Sequence, residues 1–187
     1  MQKQPLFMPD TARLITADEL ERMPQYEHGY ELVKGRLVRM TPPGHEHGRV
    51  VVGFAAILHA HVKARRLGDV VAESGCKLAA NPDTVRAPDI SFVRRDRIPV
   101  VTRGFLKGAP DLVVEVWSPG DRPSEVRDKV DEYLTHGVLV VVVVDPDHKT
   151  VTVHRRLTPP TTCIEDDELD LDDVVAGFRC QVREIFE

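Results

Sequence analysis

Residues 111–144 read DLVVEVWSPGDRPSEVRDKVDEYLTHGVLVVVVV, and this stretch decides the fold. Its first part, Asp111 to Trp117, is rich in β-branched residues and stops at Ser118-Pro119-Gly120, which cannot continue a regular central strand. The chain is expected to leave the sheet just after Glu115. Ser124 to His136 then carries Val126, Val130, Tyr133 and Leu134 at i, i+4, i+7 and i+8, the spacing of an amphipathic helix, with Gly137 as its stop. Leu139 to Val144 is apolar throughout, which suits a strand buried on both faces and reached by a helical crossover from the strand before it.

Working outward, Asp145-Pro146-Asp147 turns the chain into Thr150 to Arg155, an expected antiparallel neighbour. Upstream, Thr41-Pro42-Pro43-Gly44 breaks the chain before His47 to Leu67, where Val50, Val51, Phe54, Ile57, Leu58 and Val62 recur at helical intervals and Gly68 ends the pattern. Strand-like runs follow around Asp69 to Ala72, Cys76 to Ala80 and Val85 to Val93, with turn chemistry at Asn81-Pro82-Asp83. Nearer the start, Thr16 with Glu19 fits a capping box for a short helix ending near Pro24. Between Gly29 and Met40 two short strands flank Lys34-Gly35, predicting a β-hairpin that carries Glu31. The expected architecture is α/β of the mixed α+β kind, a central mixed sheet flanked by helices with an N-terminal hairpin, in one domain over residues 1–187. The ends, Met1 to Ala12 and Thr158 to Glu187, are assigned no element.

Composition narrows the function. With 187 residues, 42% hydrophobic and 29% charged, the chain can bury a core without disulfides or metals and is not a disordered sequence. The longest apolar runs, Val50–Leu58 and Val138–Val144, fall far short of the roughly 20 residues that cross a bilayer. The first ten residues lack an apolar signal region, so the expected compartment is the cytoplasm. Cys76, Cys163 and Cys180 are odd in number and far apart, which argues against a disulfide framework and a CxxC site. The net charge of −5 gives no global attraction to nucleic acid. Seven acids lie between Glu165 and Asp173, however, and leaving them out reverses the sign of the remainder.

Two carboxylates could meet where neighbouring strands run side by side. Asp89 precedes the strand Ile90 to Val93, and Glu115 sits on the strand Asp111 to Trp117. Mg²⁺ and Mn²⁺ accept a few carboxylates plus waters, and such an ion can polarise a phosphate and generate hydroxide. An acid in so apolar a strand as that of Glu115 needs a partner, and a structural ion pair is the alternative reading. His45, His47, His59 and His61 cannot all serve one zinc, because residues 47 and 61 lie about 21 Å apart along a helix. His47 either lines the mouth of a site or is a solvated or capping residue, and Ser118 reads as a turn serine without a GxSxG elbow. No phosphate-binding glycine loop is present. Arg94, Arg95, Arg97 and Arg103 either contact phosphates from the rim of a site or form a solvated loop.

Tyr30-Glu31-Leu32 with Gly35, the run VRAPDISFV at 85–93, DLVVEVWSP at 111–119, Lys129 with Tyr133, Gly137-Val138 and Val144-Asp145-Pro146 together resemble the Uma-two family of restriction-endonuclease-like proteins, within the PD-(D/E)XK nuclease superfamily. The resemblance runs in order from about Thr16 to Arg155 and more weakly to Phe186. It implies a restriction-endonuclease-like core and a metal-dependent endonuclease acting on DNA, with homodimerisation expected by analogy. Asp89 matches the aspartate of the PD motif and Glu115 the acid of the (D/E)XK motif, both metal ligands. Glu31 matches a further acid from the hairpin, a ligand or water-orienting carboxylate. Mg²⁺ or Mn²⁺ is the implied cofactor and no membrane partner is implied. The superfamily lysine stands two residues after the acid, where this chain has Trp117, and Lys129 matches the position that replaces it. Glu125 stands where the family commonly has aspartate, and Val140 to Val142 replace an acidic and two aromatic residues. The Trp117 and Glu125 departures support an alternative, a catalytically inactive module that binds nucleic acid or a protein.

Overall fold

The computed structural model describes residues 13–23, 29–98, 104–118 and 120–187. Helix α1 (Ala17–Arg22) opens on the expected capping box: the Thr16 hydroxyl accepts from the Glu19 N–H, and the Glu19 carboxylate accepts from the Thr16 N–H. Strands β1 (Tyr30–Val33) and β2 (Arg36–Arg39) form the hairpin. Lys34 and Gly35 both take positive φ, 50° and 75°, the pair that lets a two-residue turn follow the right-handed twist of its strands. Helix α2 (His45–Arg65) starts two residues earlier than the periodicity suggested and buries Val50, Phe54, Leu58 and Val62, a single stripe at four-residue spacing.

The remaining elements are β3 (Gly68–Ala72), β4 (Cys76–Ala79), β5 (Thr84–Arg86), β6 (Ile90–Arg94), β7 (Leu106–Lys107), β8 (Leu112–Val116), α3 (Pro123–Thr135), β9 (Val140–Asp145), β10 (Thr150–Arg155), β11 (Thr158–Cys163), β12 (Glu168–Asp170), β13 (Arg179–Gln181) and α4 (Arg183–Phe186). They build a six-stranded sheet in the order β11-β10-β9-β8-β6-β3, a five-stranded sheet in the order β2-β1-β5-β4-β7, and the small pair β12-β13. Within the six-stranded sheet β8 and β9 run parallel, joined by α3, with Glu115 opposite Val143; the other pairs are antiparallel. The mixed sheet and the helical crossover match the sequence expectation.

Two features differ from it. The run Val85 to Val93 is not one strand: it breaks at Ala87-Pro88-Asp89, leaving β5 in the hairpin sheet and β6 in the central sheet. Pro88 has no N–H to give to a ladder, so pairing stops there and the chain crosses from one sheet to the other. The second difference is the C-terminal stretch from Thr158, which supplies Leu169, Leu171, Val175, Phe178, Val182 and Ile185 to the main core, all nearly inaccessible to solvent. Phe178 stacks on Phe54 of α2 with ring centroids 6.5 Å apart. The acidic run serves this region: Asp173 pairs with Arg155, and Asp170 with Arg179. Met1 to Ala12 lie outside the described residues.

The inner strands β6, β8 and β9 are covered on both faces, as their apolar sequences require. Leu112, Val114, Val116, Val140, Val142 and Val144 pack with α2 and the C-terminal segment. Val113, Val141 and Val143 face the other way, onto Val130 and Tyr133 of α3 and Cys76 of β4. By strand alternation Glu115 shares the face of Val113, and so points toward α3.

Candidate active site

The site forms where the two sheets and α3 converge, and the break at Pro88 places Arg86 on one sheet and Asp89 at the entry to the other. The register Ile90↔Val114 carries Asp89, one residue earlier, opposite Glu115. Asp89 Oδ2 accepts the Val116 N–H at 2.6 Å, tying the carboxylate to the end of β8. Its Oδ1 lies 3.1 Å from His47 Nε2, and His47 Nδ1 lies 3.0 Å from Ser118 Oγ.

Glu115 has both oxygens engaged by α3: Lys129 Nζ donates to Oε2 at 2.8 Å and the Tyr133 hydroxyl to Oε1 at 2.7 Å. Lys129 and Tyr133 are four residues apart, one above the other on the helix face that meets the sheet. Burial pushes the Glu115 carboxyl up to about 7; Lys129 opposes that shift while Asp89 and Glu31 add to it. Burial works against the Lys129 ammonium, yet Glu115 and Glu31 overcome it and raise its pKa. The Tyr133 hydroxyl is raised well above its usual value, first by burial and then by the same two acids.

Glu31 reaches the site from the hairpin sheet, with 2% of its surface exposed. Arg86 donates to its Oε2 at 2.6 Å, the Ala87 N–H to its Oε1 at 3.0 Å, and Lys129 Nζ stands 3.7 Å from Oε1. Burial alone would raise its pKa, but Lys129, Arg86 and the Ala87 N–H together lower it. Arg86 also donates to Glu132 of α3 at 2.5 Å, so one guanidinium links β1 to the helix that carries Lys129.

Of the residues singled out from sequence, Glu31, Glu115 and Lys129 are joined by direct ion pairs, and Asp89 adjoins them through the Val116 amide. Glu125 is exposed and stands 4.0 Å from Arg122, while Lys129 turns to Glu115 instead. Trp117 packs on the α3 side of the sheet. His47 is neither solvated nor a cap: its ring is 10% exposed and bonded at both nitrogens. Arg94 and Arg97 are spent on the fully buried Asp111, and Arg95 reaches the Arg66 carbonyl. Those arginines lie at the far end of β6, about 17 Å along the strand from Asp89 at roughly 3.4 Å per residue, which removes them from the rim. Arg103 lies outside the described residues. Arg86, Glu132 and Tyr133 were not assigned site roles from sequence. For Tyr133 the signal was available, since it follows Lys129 by one helical turn; for Arg86 it was not, because the sheet crossing that brings it to Glu31 is tertiary.

The donor set can be tested against the implied metal. Among the described residues no group of three or more His, Cys, Asp or Glu side chains is placed to hold a metal ion, so Glu31, Asp89 and Glu115 do not close around one as a set of three ligands. Mg²⁺ and Mn²⁺ need only one or two carboxylates with waters filling the octahedron, which Asp89 and Glu115 can provide. The charge balance points the same way: among the described residues Glu31, Asp89, Glu115 and Glu132 are paired with two fixed cations, Arg86 and Lys129, and with His47 when it is protonated. Burial is the first cause of the upward shift of Glu115, and the charges of Asp89 and Glu31 add to it; a divalent cation would offset that added part.

A family profile described as "Uma2: Putative restriction endonuclease" matches residues 17–183. The chain belongs to the Uma2 family. Among solved structures, a crystal structure described as a putative nuclease belonging to DUF820 from Anabaena variabilis is 24% identical, covers 92% of this chain and 97% of its own, and superposes with a TM-score of 0.79. That likeness is one of fold: mixed α+β, with sheets flanked by helices. No curated protein matches the chain. No helix among the described residues is long and apolar enough to cross a membrane.

Proposed function

We propose that this chain is a nuclease domain that hydrolyses phosphodiester bonds of DNA with Mg²⁺ or Mn²⁺, acting in the cytoplasm and as a homodimer when both strands are cut. The observation that carries this reading is the contact of Lys129 with Glu115, 2.8 Å long, beside Asp89 on the neighbouring strand. Asp89 and Glu115 would hold the metal ion, and Glu31, whose oxygens are taken by Arg86, the Ala87 N–H and Lys129, would act as the third acid through an ordered water. The bound ion supplies Lewis acidity toward a phosphate oxygen and lowers the pKa of a water.

The rest of the chemistry belongs to side chains. Lys129, fully charged at neutral pH, holds negative charge that develops on the attacking water and on the phosphate. Tyr133 holds the Glu115 oxygen that Lys129 does not, so the acid keeps one orientation. Arg86 holds Glu31 and Glu132 together and so keeps β1 against α3.

The deciding experiment titrates Mn²⁺ and Mg²⁺ into the wild type and into Glu115→Ala and Asp89→Ala by calorimetry, with plasmid nicking followed in the same samples. Binding and nicking in the wild type, both lost in the variants, are expected. A folded wild type that does neither moves the assignment to the inactive binding module, the reading favoured by Trp117 at the usual lysine position.

A further inference from the structure

We propose that His47 and Ser118 form a positioning pair for Asp89, holding its carboxylate in the orientation a divalent cation needs. The inference deepens the nuclease reading and rests on it. Three observations carry it. The His47 ring is 10% exposed, although it stands on the first turn of α2, where its helix neighbour His45 is exposed. Both ring nitrogens have partners, Asp89 Oδ1 at 3.1 Å and Ser118 Oγ at 3.0 Å. Those partners come from two different loops, one entering β6 and one leaving β8, so the imidazole closes a ring of contacts around the end of the strands.

The hydrogen-bond chemistry is self-consistent. An ionised carboxylate only accepts, so Nε2 carries the proton toward Asp89; Nδ1 accepts from the Ser118 hydroxyl in the neutral ring and donates to its oxygen in the charged ring, which the hydrogen bond to Asp89 favours. Asp89 thereby selects the tautomer, and the Ser118 hydroxyl, which can donate or accept, completes the second hydrogen bond of the ring. Asp89 is then pinned at both oxygens, Oδ1 by His47 and Oδ2 by the Val116 N–H at 2.6 Å. A carboxylate has about four lone-pair directions, so pinning two fixes its plane and leaves two for the ion and its waters. Groups that orient a ligating carboxylate in this way typically change metal affinity or activity by about 10–100-fold when removed.

A purely structural role, stapling α2 to β6, predicts something different: lower thermal stability with unchanged metal affinity. The test is calorimetric Mn²⁺ titration and thermal unfolding of wild type, His47→Ala, His47→Gln, Ser118→Ala and Glu115→Ala. His47→Ala should bind Mn²⁺ about 10–100-fold more weakly while still melting cooperatively. His47→Gln, whose amide N–H can reach Asp89, should recover most of that loss, and Ser118→Ala should show a smaller loss than His47→Ala. Equal affinity in wild type and His47→Ala, with binding lost in Glu115→Ala, overturns the positioning role and leaves the nuclease site standing. Complete loss in His47→Ala without recovery by glutamine also overturns it, by making His47 a ligand. Absence of Mn²⁺ binding in folded wild type overturns both readings.

Discussion

Replacing Lys129 with methionine keeps the side chain's length and removes the ammonium that stands 2.8 Å from Glu115 and 3.7 Å from Glu31. Glu115 reports the loss, because its folded carboxyl titrates near 7 against an ordinary 4.5. A carboxyl whose pKa is raised by folding binds its proton more tightly in the folded state. Its contribution is fully present below about 4.5 and is lost as pH rises through about 7. In the wild type that loss stops above 7, once the carboxyl is ionised in both states. Without Lys129 the carboxyl stays protonated to higher pH, and the loss continues at about 1.4 kcal/mol per pH unit. At pH 5.5 Glu115 is protonated in both proteins and adds almost nothing to the difference between them. At pH 8 it adds about 1–2 kcal/mol, roughly 2–8 °C in melting temperature for a chain of this size. Losses through Glu31 and through packing appear at both pH values and cancel in the comparison. Urea unfolding of the two proteins in EDTA, extrapolated linearly at pH 5.5 and 8.0, measures the difference. Equal destabilisation at both pH values, or a larger one at pH 5.5, would refute the idea that Lys129 holds the charge on Glu115.

Other expectations are simpler. Arg86→Met leaves Glu31, 2% exposed, without its guanidinium and should cost about 3–5 kcal/mol in urea unfolding; a loss under 1 kcal/mol would mean the Ala87 N–H and Lys129 suffice. Ser91 Oγ is buried without a hydrogen-bond partner among the described residues, so Ser91→Ala should be neutral or stabilise by up to about 1 kcal/mol, and clear destabilisation would reveal a partner for the hydroxyl. At Gly68 an added Cβ would sit 2.0 Å from the Val93 carbonyl, so Gly68→Ala should force the β3–β6 pair apart and lower the melting temperature; an unchanged melt would contradict that register.

The sequence by itself determined the local elements and the order in which they occur. The capping box at Thr16, the Lys34-Gly35 turn and the α3 crossover between two apolar strands depend on residues near one another in the chain, whose propensities and periodicities act locally. The acids and Lys129 were legible for a related reason: charged residues in apolar surroundings stand out wherever the fold puts them. Tertiary structure decided the rest. Pro88 marks a break in pairing, but that β5 and β6 then enter different sheets depends on partners far along the chain, β1 and β4 for one and β3 and β8 for the other. That crossing gives Arg86 to Glu31 and Asp89 to the end of β8. The partners of His47 were unreadable for the same reason, since Asp89 and Ser118 lie 42 and 71 residues away from it. A hydrogen bond formed over such separations leaves no periodicity in the sequence. The C-terminal segment, for which no element was expected, completes the core because its apolar residues find α2 only when the sheet has brought the two together.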